Sequence, residues 1–290
     1  MRTIEYLAVL AFATLMRIIP LRPGRALGAG LAGLLFHLLK APRRVGAGNL
    51  RRAFPNWSEG RVQATLRAVY RQLGWSLAEV CHLPSLGPDW VGKNVDFEGR
   101  EHADRSMRRG RGVVALVSHF GNWELLGAVF ARVGYSPRVV AFPQSNRRVD
   151  DLIRRNREST GMKVVYTGHH GTAELLEHLR GGGMVGILAD QNAGEGGVRL
   201  PFFGRDCSVA KAPAVLARKT GAAIIPVFLL RGPGHRFIVN VLPEVPVDRT
   251  SDAEKDIRET TRRWLKVQED FTREHPDQYF WLHRRWKHYE

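Results

Sequence analysis

At 290 residues, 44% hydrophobic and 25% charged, the chain has the composition of a globular protein with one large or two small domains, which excludes an intrinsically disordered chain. Its two cysteines, Cys81 and Cys207, cannot build a disulfide framework and lack metal-ligand spacing, so buried thiols in a reducing compartment are expected. The formal net charge is +16 and 36 of the 44 basic residues are Arg, whose planar fork suits phosphate and carboxylate. Anionic partners follow, whether nucleic acid, lipid headgroups or an acidic carrier protein.

The first element is an apolar run from Tyr6 to Met16, interrupted by Arg17 and closed by Pro20, and a second run covers Ala26 to Leu39. Each is short beside the ~20 apolar residues that cross a bilayer. A lone span would have to reach from Tyr6 to Leu21 with Arg17 near an interface, and a shallow anchor or two helices packed on the protein's own core are the alternatives. No small-residue cleavage site follows Met16, which argues against a secretory signal. Membrane-anchoring helices are therefore expected in residues 1–40. After a basic stretch from Pro42 to Arg52, Pro55, Asn56 and Ser58 mark a turn, with Ser58 placed to cap a helix running to about Leu83. Its stripe of Val62, Leu66, Val69, Leu73, Leu77 and Val80 has the period of one buried helical face, and Gly87 and Pro88 end it.

From Val91 the pattern changes to short apolar runs separated by helical segments, which predicts an α/β fold with a mostly parallel central sheet flanked by helices. Strands are expected at 113–118, 138–142, 163–166, 184–189, 224–230 and 237–242. The uninterrupted apolar character of most of them suits strands covered on both faces. A last helix is expected from Ser251, with Glu254 completing a capping box and Ile257, Trp264, Val267 and Phe271 along one side.

In parallel α/β sheets ligands gather beyond the carboxyl ends of strands. His119 directly follows the first strong strand, and Asp190 follows a later one before the Gly-rich loop 194–197. Asn122 is a candidate helix cap, which puts Glu124 in the first turn, where the helix dipole favours an ionised carboxylate able to hold an imidazole's tautomer. With an ordinary pKa of ~6.5, such an imidazole takes a proton from a hydroxyl near neutral pH. Read alone, the pair is better taken as a loop hydrogen bond and a helix-supporting acid, since His and Glu at this spacing often arise by chance. His169 and His170 point in different directions and have no carboxylate cluster beside them, so no metal site is expected.

These segments occur in the order found in one family. Arg43-Arg44 with Asn49-Leu50 and Phe54-Pro55, the box His119-Phe120-Gly121-Asn122-Trp123-Glu124, Arg157 with Gly161, Ala189-Asp190-Gln191, Pro201-Phe202-Phe203-Gly204, Pro213-Ala214 with Leu216-Ala217 and Thr220-Gly221-Ala222, and the closing 279–287 all recur. Over roughly residues 1 to 287 the chain closely resembles the bacterial lipid A late acyltransferases. The resemblance implies a glycerolipid-acyltransferase-like catalytic domain over 41–290. It implies acyl transfer from a fatty acyl thioester, on acyl carrier protein or acyl-CoA, to a hydroxyl of a lipid A precursor, with no metal, cofactor or covalent acyl-enzyme. His119 would be the general base and Glu124 its orienting, charge-balancing acid, with amides around Gly121 and Asn122 as candidate oxyanion donors. Asn122, Arg157, Asp190, Gln191, Phe202 and Phe203 would attend the substrates, the two Phe either shaping a groove or belonging to the core. The terminal aromatic and basic stretch would be a membrane-facing edge, or else a tail packed across the domain.

The implied setting is the cytoplasmic face of the inner membrane, with an anionic glycolipid as acceptor. Lys211-Ala212 stands where a glycine often precedes the Pro-Ala pair, and the chain is short for the group, which leaves another glycolipid or a lysophospholipid as alternative acceptors. Nucleic acid is not expected: basic residues spread from Arg2 to Lys287 without a zinc finger, ribonucleoprotein motif or leucine zipper.

Overall fold

The computed structural model describes residues 2–287. Four helices come first: α1 (Arg2–Ile18), α2 (Leu21–Leu38), α3 (Lys40–Ala53) and α4 (Glu59–His82). The α/β part follows as α5 (Pro88–Asn94), β1 (Val95–Glu98), α6 (Arg100–Arg108), β2 (Val113–Val117), α7 (Trp123–Arg132), β3 (Arg138–Ala141), α8 (Arg147–Glu158), β4 (Lys163–Tyr166), α9 (His169–Arg180) and β5 (Met184–Leu188). It continues with β6 (Val198–Phe202), β7 (Arg205–Val209), α10 (Ala212–Thr220), β8 (Ala223–Arg231), β9 (Phe237–Val241) and α11 (Ala253–Glu274).

Seven strands form one sheet in the order β1-β9-β8-β2-β5-β3-β4, and β6 and β7 form a separate hairpin. Every pairing in the large sheet is parallel except β8 with β9. The middle strands are apolar along their length because helices cover both faces, and all nine residues of β8 are buried. One core holds α3, α4, α9, α10 and α11 against the sheet through residues such as Leu50, Leu66, Leu179, Leu216 and Trp264. The other holds α5, α6 and α7 through Val91, Ala103, Leu125 and Val129.

All six expected strands are present, while β1 and the hairpin are additions too short or too polar to stand out. The basic stretch 42–52 is part of α3, its small residues Gly46 and Ala47 facing the core and its arginines mostly outward. Ser58 caps α4 as expected, accepting from the Arg61 amide at 3.3 Å. At α11 the cap is Asp252, which accepts from the Lys255 amide, and not the Ser251–Glu254 box. The expected stripe of α4 breaks at Leu77, 41% exposed, because α4 turns a different face, with Gly74, Ala78 and Glu79 buried, toward α2 and the sheet.

The two amino-terminal runs behave differently. The α2 helix packs on α4 with Gly24, Arg25, Gly28, Ala32 and Phe36 buried, crossing where a side chain on Gly28 or Gly74 would collide with the other's backbone oxygen. In α1 only Met16 is buried. Among the described residues no helix is long and apolar enough to cross a membrane. Gly28→Val wedges α2 off α4 and is expected to cost about 1–3 kcal/mol, read as a lowered thermal unfolding midpoint.

Candidate active site

The strand register builds the site. In the parallel pairing Val117 stands opposite Leu188, so two residues further along each chain His119 arrives beside Asp190. The His119 Nδ1 lies 2.7 Å from Asp190 Oδ1, and the His119 amide donates to Asp190 Oδ2 at 2.9 Å. The carboxylate is almost wholly buried. Burial alone would raise its pKa, but the charge and ring hydrogen bond of His119, with backbone amides, hold it below the usual carboxylate range. An ionised Asp190 can only accept, so Nδ1 carries the proton and Nε2 is left as the base. Burial likewise works to lower the His119 pKa, yet the charge and hydrogen bond of Asp190, with the charge of Glu124, raise it above the ordinary value.

Glu124 bonds to Arg157 and not to His119. Asn122 caps α7, its Oδ1 accepting from the Leu125 amide at 3.1 Å, and the first turn aims Glu124 at the end of α8. There Arg157 grips it with two parallel bonds, Nε to Oε2 at 2.8 Å and Nη2 to Oε1 at 2.6 Å. The sequence-based assignment of Glu124 as the acid that fixes the imidazole is corrected: Asp190 has that position, and Glu124 acts on His119 by charge alone.

The box loop is held from below. Gly121 has φ +53°, and a side chain there would collide with the Leu229 carbonyl oxygen. Its amide donates to the Gln278 carbonyl at 2.9 Å and its carbonyl accepts from Ser76, so the Gly121 amide is not an oxyanion donor. The amide group of Asn122 donates to Glu79 Oε2. Glu79, fully buried, also accepts from Arg25 and from both terminal nitrogens of Arg231. Asn122 is thus a fixture of the loop, turned away from the cleft.

The cleft above Asp190 has a volume of about 1320 Å³ and is lined by His119, Trp123, Glu124, Arg157, Gln191 and the strand ends. Gln191 Nε2 lies 3.3 Å from His119 Nε2. Trp123 and Phe280 flank the imidazole, with ring centroids 4.8 and 5.9 Å from it. Beneath α7 an apolar cavity of about 610 Å³, lined by Leu126, Gly127, Phe130, Met162 and Gly186 among others, opens into the cleft. The two share Trp123, Glu124, Val140, Arg157, Ile187 and Leu188.

His119, Glu124, Arg157, Asp190 and Gln191 are therefore brought together, while Phe202 and Phe203 are not. Both rings are buried in the core, where Phe203 meets Phe54 and Trp281 and Phe202 meets Trp286. With Gly204, Phe203 makes a two-residue turn of positive φ between β6 and β7. The terminal stretch is likewise no membrane-facing edge: Tyr279, Trp281, Arg285 and Trp286 are buried. Arg285 donates to the carbonyls of Gln191 and Ser208, and the Phe280 amide to that of His119. Nothing in the sequence marked Gln278 or Glu79 as supports of the loop, although a lone acid on the apolar stretch of α4 was a visible signal.

The family model described as bacterial lipid A biosynthesis acyltransferase matches residues 1–288. A lipid A biosynthesis palmitoleoyltransferase of Escherichia coli is 27% identical over 90% of this chain and 84% of its own length. The lauroyltransferase of the same organism is 26% identical over 90% and 84%. A phosphatidylinositol mannoside acyltransferase of Mycolicibacterium smegmatis is 30% identical over 51% of this chain and 50% of its own. Asp190→Asn is expected to move the His119 pKa down, because it removes the charge that raises it. An NMR titration of the ring protons checks this, and an unmoved titration contradicts the pairing.

Proposed function

This chain belongs to the bacterial lipid A biosynthesis acyltransferase family and is an acyltransferase, and from that premise we propose that it moves a fatty acyl group from a thioester to a hydroxyl of a lipid A precursor. The donor is acyl carrier protein or acyl-CoA and the acceptor an anionic glycolipid, both suited to the basic surface. The observation that carries the reading is the His119–Asp190 pair, with His119 lining a cleft that shares six residues with the apolar cavity beneath α7.

In the proposed mechanism the acceptor hydroxyl bonds to His119 Nε2 and gives up its proton as its oxygen attacks the thioester carbonyl. Asp190 keeps the ring oriented and offsets the charge of the imidazolium. The tetrahedral intermediate collapses with cleavage of the carbon–sulfur bond, and the departing thiolate takes the proton back from Nε2. With the Gly121 amide committed elsewhere, the Gln191 amide and the Arg157 guanidinium supply the donors for the oxyanion. Glu124 has a different role from the one its position in the box suggests: it locks Arg157 at the cleft. The acyl tail of the donor lies under α7, where glycines at 127 and 186 leave room for it.

His119→Ala is expected to lower kcat/KM by about 10²- to 10⁴-fold while leaving the far-ultraviolet circular dichroism unchanged. Near-normal transfer of a radiolabelled acyl group to tetraacylated lipid A precursor would overturn the role given to His119.

The setting we propose is the cytoplasmic face of the inner membrane, with residues 1–40 lying on the bilayer. Support comes from the apolar side chains that α1 and α2 leave in solvent, among them Ile4, Leu7, Ile18, Leu34 and Leu38, and from Phe142 at the rim of the cleft, 74% exposed. The protein is expected to float with anionic vesicles, and the double substitution Leu7→Asp, Ile18→Asp to release it, which sedimentation of the bound fraction would measure.

A further inference from the structure

A second apolar cavity, of about 790 Å³, lies between α1, α4 and α8, and its hydrocarbon wall is formed by Val9, Phe12 and Ala13, by Leu77 and Val80, and by Leu152 and Ile153. It reaches the catalytic cleft at Glu124 and Arg157, which also line the cleft and the cavity beneath α7. Three spaces thus converge on one ion pair.

The polar groups along this wall are already engaged within the protein. Arg17 donates to the Cys81 carbonyl at 3.0 Å and to Asn156 Oδ1 at 2.8 Å, Asn156 Nδ2 donates to the Val80 carbonyl at 2.9 Å, and Arg157 is held by Glu124. With these groups turned to partners within the protein, the wall is mainly hydrocarbon, and an apolar cavity of this kind is matched by hydrocarbon. Leu77, exposed in a helix otherwise packed on two sides, is part of its lining.

We propose that this cavity is a second acyl-chain site and that its occupant is a hydrocarbon tail of the acceptor lipid. The inference rests on the lipid-acceptor reading above. The donor's carbonyl must reach His119, and the cavity under α7 shares six lining residues with the cleft, so the donor tail belongs there. The cavity at α1 meets the cleft only at Glu124 and Arg157. A lipid whose tail is seated there enters the cleft from the other side of that pair and brings its hydroxyl toward Nε2. Glu124 and Arg157 then hold the two chains apart, and α1 contributes one face to the acceptor while its opposite face, with Ile4 and Ile18, is open to a bilayer.

The test uses the intact protein and two photoreactive lipids, a tetraacylated lipid A precursor and an acyl-CoA, each with a diazirine at the end of one acyl chain. The acceptor probe is expected to label Val9 to Ala13 or Leu152 to Ile153, and the donor probe Leu126 to Phe130. Acceptor label under α7, or donor label on α1, overturns the assignment. In a parallel kinetic series Ala13→Phe and Leu152→Phe fill the cavity and raise KM for the acceptor about tenfold or more by denying burial to several methylenes. KM for the donor stays as in the parent protein. An unchanged acceptor KM in both folded variants overturns the site. A parent protein that transfers to no lipid yet labels at α1 would overturn the function proposed above and leave the tail site standing.

Discussion

Parallel pairing of β2 with β5 sets the distance between His119 and Asp190. Side chains in a strand alternate between faces, so a slip of one residue would turn every apolar side chain of β2 to the opposite face and carry His119 out of line with Asp190. Val113 and Val114 of β2, like Val185 of β5, are fully buried, so the cores on both faces hold the same register that holds the 2.7 Å contact. Packing energy and the geometry of the His119–Asp190 pair are one constraint here.

A polar frame completes what the sheet begins. Glu79 faces two guanidiniums and the Asn122 amide with no exposure to water. Such a cluster adds little net stability beside a well-packed apolar equivalent, but removing one partner leaves uncompensated charge in the core. Its effect is positional: through Arg25 it ties α2 to α4, through Arg231 the end of β8, and through Asn122 the start of α7. The high net charge therefore has an internal part as well. Arg25, Arg231 and Arg285 are buried, where they act as structural donors rather than as attraction for an anionic partner.

How much of this could be read beforehand follows from what a linear pattern contains. Apolar runs of β length were enough for six of the seven strands of the sheet, and the rule that ligands gather past strand ends pointed at both His119 and Asp190. Their partnership was hidden, because β2 and β5 are neighbours only through the strand order. Glu124 was favoured as partner by its closeness in sequence, yet helical geometry turns it toward Arg157. Phe202, Phe203, Trp281 and Trp286 carry the same aromatic character in a groove, at a membrane edge or in a core, and only their neighbours decide between these. The small hairpin and the terminal segment enclose them together. The 42–52 stretch was obscured by its arginines, although Gly46, Ala47 and Asn49 already gave it an inward face.

The seat of residues 278–285 under the box loop has a further consequence. His119 and the acid that orients it are 71 positions apart in the chain, and the carbonyl that receives the Gly121 amide comes later still, from Gln278. A ribosome making this polypeptide translates the imidazole long before either companion. Until the later stretches emerge and dock, the nascent chain carries an imidazole with neither the acid that orients it nor the carbonyl that anchors its loop.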